Sequence, residues 1–400
     1  MQLMSLGLVE THREQHDGRS NRLCTIPITG GDMIARRLER LKGYMVEKGF
    51  FAVAVNAGPS LTYLTGLHFH LMERPVVIVF TLDADPTIIL PELEQAKLEH
   101  LPFPANIYAY GENPLEWSNT FGDALSKLGL SGKKVGVEPG RLRLLEYDYL
   151  RLASGDAKFT NGSEVFAALR SIKDAEEIAC MRKAVEIAES ALEATLPIVK
   201  IGVAEKDIAS ELFMQLIRHG SDTSLPFSPI VSGGPNGANP HAQPSARQIV
   251  SGDLLVIDWG AGFGGYMSDI TRTFAVGEIG AEYEKIHKIV QQANAAGRAA
   301  GKPGVSCGAV DKATRTVIEE AGYGQFFTHR TGHGIGMECH EEPYMRGDNE
   351  LLLEAGMAYT VEPGIYLAGR NGVRIEDDVL VTAEGAESLS TMSRAIRGLG

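Results

Sequence analysis

Asp253-Leu-Leu-Val-Ile-Asp-Trp-Gly260 and Tyr266-Met-Ser-Asp-Ile-Thr-Arg-Thr-Phe-Ala-Val276 flank the run Ala261-Gly-Phe-Gly-Gly265. Both flanks read as strands and the glycine-rich run reads as their turn. A turn centred between Phe263 and Gly264 places Asp258 opposite Asp269. A second pair of strands repeats the pattern. Val361-Glu362 ends one strand and Arg374-Ile-Glu376 opens the next, so a turn centred on Gly369 places Glu362 opposite Glu376. Facing residues on antiparallel strands share a face, with Cβ atoms ~4.5–5.5 Å apart, and like charges there repel. Two such pairs among apolar neighbours (Val256, Ile257, Val361, Ile375) call for a cation between them, unless both lie on an exposed strand face.

The segment His329-Arg-Thr-Gly-His333-Gly-Ile-Gly-Met-Glu-Cys-His340 decides between those readings. It holds three of the eleven histidines in twelve residues, and its glycines let the backbone pass close to a neighbour. Imidazole is a common metal ligand. Four carboxylates and one imidazole suit Mn²⁺, Co²⁺ or Zn²⁺ better than softer metals. One small ion cannot hold all five, whereas two ions about 3.5–4 Å apart, sharing two carboxylates, can. Such a pair lowers the pKa of a water and polarises a carbonyl, which is hydrolytic equipment. Cys339 reads as a small packed residue, because five harder ligands already suffice.

Outward from these hairpins, two helices precede strands twice over. Helices are expected at 171–195 and 205–218 before the first hairpin, and at 282–301 and 310–321 before the second. This is an internal duplication of architecture. Upstream, helices expected at 33–48, 114–128 and 141–153 alternate with strands at 51–56, 76–82, 87–90, 106–110 and 134–138, which reads as an α/β domain. Asp32 is the expected N-cap of the first helix, and Gly49 ends it. The fold class is thus an α/β N-terminal domain followed by an α+β domain with pseudo-twofold duplication. The expected divisions are a loose arm at 1–31, the N-terminal domain at 32–165 and the second domain at 171–395.

Composition narrows the function. The 400 residues are 44% hydrophobic and carry 51 acidic against 38 basic side chains, a net charge of −13. Such a surface repels phosphate backbones, so no nucleic-acid partner is expected. No apolar run approaches a membrane span, so no membrane association is expected. Four dispersed cysteines and no recognisable leader point to a reducing compartment, the cytoplasm.

Asn239–His241, Val256-Ile-Asp-Trp-Gly260, Ser268-Asp-Ile-Thr-Arg-Thr273, Gly332-His-Gly-Ile-Gly336, Val361-Glu-Pro-Gly-Ile-Tyr366 and Val373-Arg-Ile-Glu-Asp-Asp378 occur in that order. Together they resemble the pita-bread metallopeptidases, the superfamily of prolidase, aminopeptidase P, methionine aminopeptidase and creatinase. The resemblance implies a pita-bread catalytic domain with Asp258, Asp269, His333, Glu362 and Glu376 as ligands of two divalent ions. Mn²⁺ is the expected metal, with Co²⁺ or Zn²⁺ as alternatives. Asp269 and Glu376 would bridge. Glu362 would also serve as general base towards the bridging hydroxide. His241 and His340 would hold substrate and stabilise the tetrahedral intermediate, His329 would line the same pocket, and Arg374 would orient a carboxylate or bind the substrate's charged end.

All five ligand types are present, unlike in creatinase-like members, and the long N-terminal domain favours prolidase or aminopeptidase P. The implied activity is hydrolysis of the Xaa-Pro bond of a dipeptide or short peptide. The alternatives are a related hydrolase of a non-peptide amide, ectoine-hydrolase-like, and a non-catalytic peptide-binding module. Some prolidases carry an arginine four residues past the His340 equivalent, where this chain has Tyr344; Arg346 and Arg370 are the nearby candidates for a carboxylate clamp. His68 and His70 share one side of a strand end and would reach a partner's site in the homodimer that the resemblance implies.

Overall fold

The computed structural model describes residues 30–400. The expected arm, and Cys24 with it, falls outside the described residues, except that Gly31 already opens a helix. That helix, Gly31–Glu47, is capped by Gly30, and Asp32 lies inside its first turn without a capping hydrogen bond. The N-cap expectation is therefore displaced by two residues. Asp32 still sits where the helix dipole favours an anion. Gly49, at φ 69°, takes the left-handed conformation that ends the helix.

Six strands form the N-terminal sheet in the order Asn106–Tyr110, Thr87–Pro91, Val77–Thr81, Ala52–Asn56, Lys134–Val137, Lys158–Asn161. Its central strands (AVAVN, VIVFT) are buried along their whole length, as β-branched runs covered on both faces are. The last strand and the short helices Pro59–Thr65 and Ser163–Ser171 escaped the sequence reading.

The expected helix at 171–195 starts four residues later, since Ser171 ends a preceding helix, Ser163–Ser171. Ile172 leaves the preceding helix to bridge Met357, and the long helix is Ala175–Thr195. Asp174 caps it, and Glu177 reaches back to the Asp174 N–H, a complete capping box. The stripe Met181, Val185, Ala188 and Leu192 is buried against the first hairpin's sheet. Met181, Val185 and Leu192 each contribute about 1.5–3 kcal/mol relative to exposure. Helix Glu205–Arg218 packs beside it. The second half repeats the layout: helices Ala281–Ala300 and Cys307–Glu320 cover the five-stranded sheet that contains Gly332–Gly334, Ala358–Val361 and Asp377–Val381.

The first hairpin folds with a different register from the one expected. Leu254–Trp259 pairs with Ile270–Val276 so that Asp258 faces Thr271, not Asp269. The turn centres between Gly264 and Gly265, with Phe263 opposite Tyr266. Both glycines have positive φ, 60° and 81°. A two-residue hairpin turn of type I′ needs that at both central positions, and Phe263 could not supply it. A slip of two residues preserves the face, so Asp258 and Asp269 still look the same way. The second hairpin keeps the expected register: Val361 faces Asp377 and Gly364 faces Arg374, which sets Glu362 across from Glu376.

Candidate metal centre and its cavity

A seam between the two hairpins brings the acids together. The Glu376 N–H donates to the Thr271 carbonyl at 3.0 Å, and the Thr271 hydroxyl donates to Glu376 Oε2 at 2.6 Å. One turn of strand away, the Thr273 hydroxyl donates to the Arg374 carbonyl and accepts from the Arg374 N–H. The threonines thus fasten the second hairpin's acid beside the first hairpin's pair. Behind them, Arg272 clamps the Thr271 and Glu376 carbonyls and the buried Asp377 carboxylate.

His333 arrives on the strand Gly332–Gly334, wedged between 341–345 and 358–361. A Cβ at Gly332 or Gly334 would collide with the carbonyl oxygens of Thr360 or Glu342, so these glycines are there for neighbouring backbone.

Three carboxylates each have one oxygen anchored and one free. Arg374 Nη2 donates to Asp258 Oδ2 at 2.5 Å, Cys339 Sγ donates to Asp269 Oδ2 at 3.1 Å, and Thr271 holds Glu376 Oε2. Asp258 Oδ1, Asp269 Oδ1 and Glu376 Oε1 are buried with no hydrogen-bond partner. His333 Nδ1 sits 3.1 Å from the Gly334 carbonyl, which can only accept, so the ring proton is on Nδ1. Burial also keeps the ring neutral, holding its pKa well below the ordinary value. The bare Nε2 lone pair then faces Glu362 Oε1 at 3.3 Å and Asp269 Oδ2 at 3.7 Å. Acceptors facing acceptors in a buried site repel, and unpaired buried charge is costly. A cation between them removes both problems, so these residues fit a metal. Ligand atoms of Asp269, His333 and Glu376 lie within 4.8 Å of one another.

The electrostatics point the same way. Burial, then the Asp258 and Asp378 charges, pushes Asp269 far above the carboxylate range. Burial and the Asp269 and Glu362 charges do the same to Glu376. Burial raises Glu362 from 4.5 to about 7. Without cations the cluster holds protons at pH values where an exposed carboxylate has lost them.

The other expected residues divide. His241, His340 and His329 all line the cavity, of about 1000 Å³, that opens over the acids. His340 packs against His333 with ring centroids 3.9 Å apart and ring planes tilted by 47°. His329 is fully engaged. Arg374 donates to the Tyr366 hydroxyl, which donates to His329 Nε2 at 2.8 Å, and Nδ1 donates to the Arg330 carbonyl. With both nitrogens used and its pKa pulled by burial to about 4, His329 is a neutral support for Tyr366. Arg346 and Arg370 are not among the residues lining the cavity. They are exposed and paired with Asp348 and Glu282. His68 and His70 lie on an exposed loop outside the cavity.

Sequence reasoning passed over Tyr366, Arg330, Arg141 and Glu205. Tyr366 closes a motif already singled out. Arg141 reaches the cavity from the N-terminal half and pairs with Glu338. Glu205 is fully buried and accepts hydrogen bonds from Gly233 N–H, Asn236, and the N–H and hydroxyl of Ser245. It pins both ends of the loop that carries His241. Glu205→Ala is expected to destabilise the fold by roughly 2–4 kcal/mol, since a charged acceptor leaves several buried donors unpaired; denaturant unfolding measures this, and an unchanged midpoint would contradict it.

The description "Metallopeptidase family M24" matches residues 179–383, and "Creatinase/Prolidase N-terminal domain" matches residues 37–172. The chain belongs to metallopeptidase family M24; its fold is the pita-bread fold behind a creatinase-type N-terminal domain, and it is a metallopeptidase. Within the family, similar proteins include several named as dipeptidases or prolidases. The Xaa-Pro dipeptidase of Lactobacillus delbrueckii subsp. lactis is 31% identical over 363 residues, 90% of this chain and 98% of that protein. A putative dipeptidase of Bacillus subtilis is 34% identical over 354 residues, 88% of this chain and 97% of that protein. The prolidase structure from Thermococcus sibiricus superposes with a TM-score of 0.86 at 33% identity, covering 92% and 99% of the two chains. The 30% identical X-Pro aminopeptidase from Thermotoga maritima gives 0.78, over 90% and 99%.

Proposed function

We propose that this chain hydrolyses the Xaa-Pro bond of dipeptides, with two divalent ions held by Asp258, Asp269, His333, Glu362 and Glu376. The observation that carries the reading is the set of three orphaned carboxylate oxygens and one bare imidazole nitrogen, all buried in the lining of one cavity. When bound, the ions supply a water of lowered pKa and polarise the scissile carbonyl. Mn²⁺ suits the oxygen-rich ligands, and Cys180, Cys307 and Cys339, all free thiols, suit the cytoplasm.

The chain's own residues do the rest. Glu362, buried at the cavity floor beside the other acids, takes a proton from the attacking water and passes it to the leaving nitrogen. His340 and His241 stand on the cavity wall, where their ring N–H groups can donate to the substrate carbonyl and its developing oxyanion. Tyr366, held by Arg374 and His329, keeps Arg374 aimed at Asp258. Pro226, Phe227, Ile230, Met267 and Met337 give the cavity an apolar wall fit for a proline ring. The bond's nitrogen is tertiary and has no N–H, so a hydrolase that polarises the carbonyl instead of gripping that N–H is the suitable kind.

The test is hydrolysis of Xaa-Pro dipeptides and Xaa-Pro-Yaa tripeptides with Mn²⁺ or Co²⁺ added. Dipeptide cleavage is expected, and chelation should abolish it. Cleavage of tripeptides alone would move the chain to the aminopeptidase branch, and cleavage of neither would overturn the reading.

A further inference from the structure

The segment 336–340 joins the strand that carries His333 to the strand Glu341–Met345 and belongs to neither. It still carries two groups of the site. The Cys339 thiol donates to Asp269 Oδ2, and His340 packs against His333 at the cavity wall. Outside a strand, a side chain keeps its place only as well as the anchors of its segment allow. Two of those anchors come from 168 residues upstream. Glu338 accepts from Arg170, and also pairs with Arg141, while Glu341 pairs with Lys173 at 2.9 Å. A Cβ at Gly336 would lie 2.6 Å from Glu341 Oε1 and 3.0 Å from Lys173 Cε, so the second pair rests against the start of the segment. Arg170 stands in the last turn of the helix Ser163–Ser171, and Lys173 follows just before Asp174 caps the long helix Ala175–Thr195. The joint between the two halves is thereby tied to the segment that presents His340.

Of the two arginines on Glu338, Arg170 is the one that constrains it. It is buried, and its Nε and Nη1 have no hydrogen-bond partner among the described residues, so Glu338 is the carboxylate that compensates its charge, with Glu341 3.8 Å away. Separating a buried charge from its partner is costly, so the pair favours one arrangement of the elements it joins. Arg141 is exposed, and a pair of that kind fixes little. Arg170 is also absent from the lining of the catalytic cavity. It lines a second cavity, of about 390 Å³, that shares Arg141, Glu338 and His340 with the first.

We propose that Arg170 is a positioning residue: by holding Glu338 it fixes the segment 336–340, and with it the place of His340 on the cavity wall. The inference rests on the peptidase reading above. It gives the junction of the two halves a part in turnover without contact with substrate. A donor to the developing oxyanion matters more in the transition state than in the bound substrate, so a displaced His340 lowers kcat and changes KM little. None of the five ligand residues belongs to the segment, so the metal stays.

The experiment measures kcat and KM on Ala-Pro, metal content and thermal unfolding for the Mn²⁺-loaded wild type, Arg170→Gln, Arg170→Lys, Glu338→Gln and the double variant Arg170→Gln/Glu338→Gln. In Arg170→Gln, Glu338 keeps Arg141 and is not stranded, so the fold is retained. That variant is expected to lose roughly ten- to a hundredfold in kcat, with KM within about threefold of wild type and metal content unchanged. Arg170→Lys recovers part of the loss. The double variant falls no further than the worse single one, because both act through one contact. Wild-type kcat in folded Arg170→Gln, or in folded Glu338→Gln should the first not fold, overturns the assignment while the peptidase reading stands. So do losses that multiply in the double variant, or a fall in kcat matched by a fall in metal. Wild type inactive on Ala-Pro overturns the peptidase reading, and the role of Arg170 with it.

Discussion

Asp269→Asn is expected to reduce kcat/KM on an Xaa-Pro dipeptide by roughly a thousandfold or more, since even outer partners of metal ligands cost about 10- to 100-fold. The physical reason is local. Asp269 has one oxygen held by the Cys339 thiol and lying 3.7 Å from His333 Nε2, and the other buried without a hydrogen-bond partner. Asparagine keeps the size and offers the same thiol an acceptor, but it removes the charge and can present an N–H₂ where an anion is needed. Metal content should fall in parallel, measured by elemental analysis after dialysis against trace Mn²⁺. The metal-free variant should nevertheless melt higher than metal-free wild type. Burial and the Asp258 and Asp378 charges disfavour the ionised carboxylate there, and a neutral amide is relieved of that penalty. Full activity together with unchanged metal content would refute the assignment of Asp269 as a ligand.

The sequence made the acids visible because their signal is local. Hydrophobic alternation and the glycine runs made the Glu362–Glu376 pair legible as a facing set, and made Asp258 and Asp269 legible as sharing a face though not as opposite residues. Where the reading slipped, at Asp258 against Thr271, the deciding fact was which two glycines take positive φ, a distinction composition does not carry. The capping box Asp174-Ala-Glu-Glu177 was legible in the sequence, and it sets the start of the long helix four residues later than the expected 171. The seam itself was not legible. Thr271 to Glu376 spans 105 residues, and only the folded chain shows that one hydroxyl joins the two hairpins. The engagement of His329 by Tyr366 and Arg374 was hidden for the same reason.

The stabilisation given by metal should grow steeply with pH. In the metal-free protein, burial raises Glu362 from 4.5 to about 7, and burial with mutual repulsion raises Asp269 and Glu376 further. The folded state then binds protons that the unfolded state has released. Stability therefore falls as pH rises from the unfolded pKa, about 4.3, through the folded values. Buried histidines act oppositely. Burial holds His287 and His329 near 4, so each adds stability as pH rises towards 6.5 and nothing beyond it. Those two are common to the metal-free and loaded forms and cancel in their difference. Divalent ions replace the carboxyl protons, so binding releases protons and tightens as pH rises. At a thousandfold excess over Kd the ions add about 4 kcal/mol, and less at lower pH as Kd weakens. Thermal unfolding with chelator and with saturating Mn²⁺, from about pH 5.5 to about pH 7.5, should show the gap in Tm widening throughout, with the metal-free Tm falling above about pH 6.5 where the histidines no longer contribute. A gap independent of pH would mean that the carboxylates are already ionised without metal, and that the four acids do not form one buried, mutually repelling cluster.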